Sequence, residues 1–168
     1  MCVRTVLDAS AFGHLCSGTK NSAGDQLRKW IDRGDGVVVY STYEKYGEEL
    51  SKHRKARELL ENFVGNLKAI DVDRTDFEEA LSQITGNPLR KSNDEHILAL
   101  AIAGKATVLF SCDDDLCKDF SNVRVIPKIG KRKRRSVPGL DGEFPNDTTH
   151  AGKVRKFLNK RYCNSNSC

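Results

Sequence analysis

NDEHILALAIAGKATVLFSCDDDLCKDF, residues 93–120, sets an apolar helix, a short strand and an acidic turn one after another. The segment 97–103 has no polar face, which predicts a helix buried inside a domain. Ser92 and Glu95 have the S-x-x-E spacing of a capping box that would open it. Residues 107–110 form an apolar strand, and Asp113, Asp114 and Asp115 follow at once, leading a helix over 113–120.

The same alternation extends in both directions. Val3–Leu7 is a β-branched run that ends at Asp8, and Ala23, Leu27, Trp30 and Ile31 share one helical face. Gly34-Asp35-Gly36 breaks that helix before a second apolar strand at 37–40. Ser41 and Glu44 form a capping box for a helix running to about residue 52. Ala56, Leu59, Leu60, Phe63 and Val64 make another helical stripe, and 67–70 is a weaker third strand. Thr75 and Glu78 make a further capping box ahead of Phe77, Ala80, Leu81 and Ile84. A last strand is expected at 123–126. Strands alternating with helices require crossover connections, hence an α/β fold with a mostly parallel sheet of about five strands covered on both faces.

At 168 residues the chain suits one domain, 1–127, followed by a basic extension, 128–168. The net charge of +5 hides an asymmetry. Residues 128–168 carry 11 Lys and Arg against 3 Asp and Glu, leaving 17 against 20 in residues 1–127. Such a division suits a protein that holds cations in one place and a polyanion in another. No stretch reaches the length of a membrane span, and the N-terminus lacks a signal peptide's apolar run, so a cytoplasmic protein is expected. The six cysteines show no CxxC pair, which leaves a zinc site unsupported. Cys2, Cys16, Cys112 and Cys117 read as small buried apolar residues.

Ligands of an open parallel sheet bind beyond the carboxyl ends of its strands. Asp8 follows the first strand there, Asp113–Asp115 the fourth, Asp94 opens the buried helix, and a glutamate from the 42–52 helix follows the second strand. Asp94 and the 113–115 run would each also favour a helix dipole. Asp8 has no such excuse, because an aspartate ending an apolar strand packs poorly. Gathered carboxylates repel unless a cation neutralises them, and hard oxygen ligands select Mg²⁺ or Mn²⁺. That chemistry serves in-line phosphodiester hydrolysis. No Gly-rich phosphate loop competes, since GTK at 18–20 lacks the spacing.

VLDASAFGHL (6–15), NDEHILALA (93–101) and LFSCDDDLCKDF (109–120) resemble, in order and placement, the three acidic motifs of the PIN-domain family. The resemblance covers residues 1–127 and implies a three-layer α/β/α sandwich. It also implies Mg²⁺ or Mn²⁺ dependence and endonuclease activity, usually on RNA and less so on DNA. Matched position by position, Asp8, Asp94 and Asp113 would ligate metal, with Asp115 acting directly or through water. Ser10 and Ser111 would orient ligands. The family's glutamate usually precedes a core-facing Leu, with another inward residue three before it. Tyr46 and Leu50 bracket Glu49 in that way, so Glu49 is preferred to Glu48. His96 is expected at the pocket rim.

Many stand-alone PIN domains of this size are toxins of toxin–antitoxin pairs, so an antitoxin or other inhibitory protein and a homodimer are partners the resemblance admits. The extension departs from a minimal toxin. Within it, Lys131, Arg132, Lys133, Arg134 and Arg135 are the residues expected to neutralise RNA phosphates, and a short helix is expected at 150–162. Two other readings stand beside this one. A PIN-like module could bind RNA or a protein without cutting. A haloacid-dehalogenase-type phosphatase would want a second Asp two residues after Asp8, where this chain has Ser10.

Overall fold

The computed structural model describes residues 3–18, 20, 22–126 and the backbone of 135–137. The elements run β1 (Val3–Leu7), α1 (Ala9–Cys16), α2 (Ala23–Asp32), β2 (Gly36–Tyr40), α3 (Glu44–Ser51), α4 (Arg54–Gly65), β3 (Ala69–Asp71), α5 (Arg74–Ile84), α6 (Glu95–Ala103), β4 (Val108–Phe110), α7 (Asp114–Ser121) and β5 (Arg135–Val137). The sheet has the order β3-β2-β1-β4-β5 with every pairing parallel, so β1 lies centrally between β2 and β4.

That order positions the site. From β1 the chain steps outward to β2 and β3, then returns to the other side of β1 for β4. Right-handed crossovers therefore place the early helices on one face and the later ones on the other. The packing agrees: α1 lies against α2 and α4, whereas α5, α6 and α7 pack together. Helix α3 touches α1, α4 and α6. Strand order reverses between β1 and β4, which is where a crevice opens at the carboxyl edge of such a sheet.

Each element has a local cause. The Ser22 side chain caps α2 by accepting from the Asp25 amide. Helix α6 is buried from His96 to Ala101, as an all-apolar helix must be. Trp30 meets Phe110 edge-on with centroids 6.3 Å apart. Gly36 makes room for that indole, since a Cβ there would fall 2.0 Å from Trp30. Among the described residues, no helix is long and apolar enough to cross a membrane.

Four expectations are corrected. Helix α1 occupies residues that carried no helix expectation. The fifth strand is not 123–126, which form turns under the Asn122 carbonyl; it accepts from the amides of Val125 and Ile126. Instead β5 comes from 135–137, beyond residue 127, so the sheet draws on both sides of that division. None of the three capping boxes forms. Ser41 and Ser92 turn their hydroxyls to the amides of Tyr43 and Asp94, two residues on, and Asp73 caps α5 ahead of Thr75. The helix expected at 150–162 lies outside the described residues.

Candidate metal centre

Asp8 leaves β1 at the strand-order reversal, fixed by its amide donating to the Phe110 carbonyl at the end of β4 (3.1 Å). It stands at the N-cap position of α1, yet its carboxylate makes no capping bond. Oδ2 accepts instead from Ser10 Oγ (2.6 Å) and from the buried Ser111 Oγ (2.8 Å). Ser10 Oγ accepts in turn from the Cys112 amide, and Ser111 Oγ from the Asp113 amide (2.9 Å). The hydroxyls thus lace the start of α1 to the turn after β4.

Asp113 caps α7: Oδ1 accepts from the amides of Asp115 (2.7 Å) and Leu116 (2.9 Å). No hydrogen bond among the described residues engages the remaining oxygen of Asp8 or of Asp113. Asp115 goes elsewhere. Its Oδ1 lies 2.8 Å from Lys118 Nζ, whose hydrogen bond and charge hold this exposed carboxyl below the usual range.

A second cluster stands on α3 and α6. One ligand atom each from Glu49, Asp94 and His96 lie within 4.8 Å of one another. Asp94 occupies the N-cap position of α6 but makes no capping bond, so its carboxylate stays available. Lys45 Nζ lies 3.4 Å from Asp94 Oδ1 and 3.7 Å from Glu49 Oε1. His96 Nε2 lies 3.3 Å from Glu49 Oε2, and its buried Nδ1 has no hydrogen-bond partner among the described residues. Far from lining the rim, His96 is 3% exposed, because α6 is buried on every side. Glu49 is the glutamate brought to Asp94, whereas Glu48 faces outward.

Tyr46 stands between the two clusters. Its phenol donates to the Leu7 carbonyl (3.1 Å), and burial raises its pKa, with Asp8 and Glu49 both adding to the rise. Of the expected site residues, Asp8, Ser10, Ser111 and Asp113 form one network, and Glu49 and Asp94 form the other. Glu48 and Asp115 join neither. Lys131–Arg134 lie outside the described residues, and Arg135 contributes backbone to β5.

Three contributors escaped the sequence reading: Lys45, the buried role of His96, and Asp119. Asp119 is 2% exposed, and its Oδ2 accepts from the amides of Lys91 (2.8 Å) and Ser92 (2.7 Å), holding the loop that leads to Asp94. An aspartate at the inward spacing of Leu116, Cys117 and Phe120 was the available signal.

The residues fit a divalent cation. The donors include hard carboxylate oxygens, and an ammonium already lies between Glu49 and Asp94. No curated protein and no solved structure matches the chain. The model of the PIN domain family matches residues 5–121, which run from within β1 to the end of α7 and include both clusters. A parallel sheet reversing at β1 and β4, carboxylates at that reversal and this match agree, and the chain belongs to the PIN-domain family, whose fold is of nuclease type.

Proposed function

We propose that the protein is a Mg²⁺- or Mn²⁺-dependent endoribonuclease that hydrolyses RNA phosphodiester bonds. The observation that carries this reading is the meeting of Glu49, Asp94 and His96, one ligand atom from each lying within 4.8 Å of the others. Asp8, Glu49, Asp94 and Asp113 would hold the ion. When bound, it would supply Lewis-acid polarisation of the phosphate and make a nearby water easier to deprotonate.

The chain's own residues prepare that chemistry. Ser10 and Ser111 tie one oxygen of Asp8, which aims the other. Asp113 is aimed by the α7 amides in the same manner. His96 Nε2 steadies Glu49 from the dry side of the site. The role of toxin, with an antitoxin as inhibitor and a homodimer as the assembled form, belongs to the same proposal. So does phosphate contact by 131–135.

The test is cleavage of labelled RNA by the wild type and Asp94→Asn with Mn²⁺, Mg²⁺ or EDTA. Cleavage should require metal. The variant should lose more than the roughly 100-fold typical of removing a mere outer-shell partner. Metal-independent cleavage, or cleavage that survives in Asp94→Asn, refutes the assignment. One observation favours a non-catalytic binding module: Lys45 already offsets part of the charge of Glu49 and Asp94 without metal. Metal-insensitive RNA binding without cleavage would mark that case.

A further inference from the structure

A cavity of about 630 Å³ opens beside Asp8, between α1 and the turn that joins α3 to α4. Ser10, which donates to Asp8, lines its inner end. Lys52, Arg54 and Lys55 line its wall. Arg54 is paired with Glu58 at 2.7 Å, but Lys52 and Lys55 make no ion pair among the described residues. A second cavity, of about 380 Å³, shares Cys16 and Lys55 with the first and adds Arg28. Burial raises the Cys16 thiol pKa, Arg28 and Lys55 pull it down and Glu58 adds to the rise, and all three charged residues line the second cavity with Cys16.

The floor carries an independent mark. Gly13 sits inside α1 and lines the first cavity, and a Cβ built there would meet nothing within 4 Å. A glycine inside a helix weakens it, and here no neighbour requires the small residue. What the exposed glycine does is leave the α1 backbone uncovered, so that a ligand can lie close to it.

We infer that this cationic trough seats the phosphate backbone of single-stranded RNA on its way to Asp8, with Lys52 and Lys55 as phosphate contacts and Gly13 as floor. The inference rests on the nuclease reading for its substrate and assigns that substrate a path. Arg28, Lys52, Arg54 and Lys55 line the two cavities against the one carboxylate of Glu58, a surplus of positive charge that suits polyphosphate, which is bound by charge and not by base identity. A single strand can bring successive phosphates into a trough of this size.

The test measures binding of a fluorescein-labelled single-stranded RNA in EDTA across a salt series, using the full chain. Lys52→Gln/Lys55→Gln should weaken binding and reduce the salt slope by about 1.4, from about 0.7 per lost phosphate contact on a single strand. Lys105→Gln, an exposed cation at the amino end of β4, should change neither. Gly13→Gln should weaken binding with no fall in melting temperature. An unchanged slope in the double variant, or wild-type affinity in Gly13→Gln, overturns the inference. If the wild type cleaves RNA with Mn²⁺ while the slope stays unchanged, only the trough fails. If the slope falls while the wild type never cleaves, the nuclease reading fails and the trough stands.

Discussion

The two flanks of the carboxyl edge handle negative charge differently. On the β1–β4 flank, Asp8 and Asp113 are supported by neutral donors, namely two hydroxyls and two helix amides. Hydrogen bonds of this kind hold the carboxylates in place with no cation present. On the α3–α6 flank, Glu49 and Asp94 have few such donors and rely on Lys45, with the imidazole of His96 behind. The aspartates that open α7 and α6 differ in the same sense: Asp113 caps its helix and Asp94 does not. One flank is therefore held by uncharged donors, and the other leans on a cation.

The largest effect should come from Asp119, which braces the cation-dependent flank from beneath. Asp119→Ala leaves two amides of a buried loop without their acceptor and should cost about 3 kcal/mol. Chemical denaturation gives the cost, and loss of metal response in the folded variant would show that Asp94 has moved. A loss under about 1 kcal/mol would mean that water replaces the carboxylate and the loop holds itself.

Next in size is a difference between the aspartates that open α7 and α6. Asp113→Ala should lower stability by about 1 kcal/mol through the lost cap, whereas Asp94→Ala should lower it little. Equal losses would erase the distinction drawn between the flanks. Lys45→Met should act in a smaller range, since an exposed pair contributes only about 0–1 kcal/mol. Without the ammonium, Mn²⁺ should raise the melting temperature more than it does in the wild type. An identical rise in both would show that Lys45 and the metal do not compete for one place.

The same contrast explains what was legible beforehand. Helix α6, the strands β1, β2 and β4, and the aspartates that follow or precede them are written in local patterns: continuous apolar runs broken by a charge. Helix α1 was not, because Gly13 weakens its signal and Asp8 drew attention as a strand ending. The run 123–126 has strand composition, but Asn122 gathers it into turns. Ser41 and Ser92 carry capping-box spacing, and their hydroxyls find a nearer amide. Least legible was the cation-dependent flank. Lys45 meets Asp94 across 49 residues and Glu49 meets His96 across 47, contacts that only the packing of α3 on α6 creates.

The smallest effect concerns Asp115, the aspartate whose family position would bring it to the metal while its present bond takes it to Lys118. Lys118 depresses its pKa, so the pair's stabilisation is complete above the unfolded value, about 3.9 for an aspartate. It is lost as pH falls through the lower folded value. Both groups are fully exposed, so high salt should erase this increment, while the capping bonds of Asp113 persist. Asp115→Asn should then match the wild type in melting temperature at high salt and neutral pH, with Mn²⁺ adding the same rise to each. If the variant instead loses part of the Mn²⁺-induced rise, Asp115 must leave Lys118 when metal binds. The flank held by uncharged donors would then contain one mobile ligand, and the division between the flanks would run through α7 and not between α7 and α6.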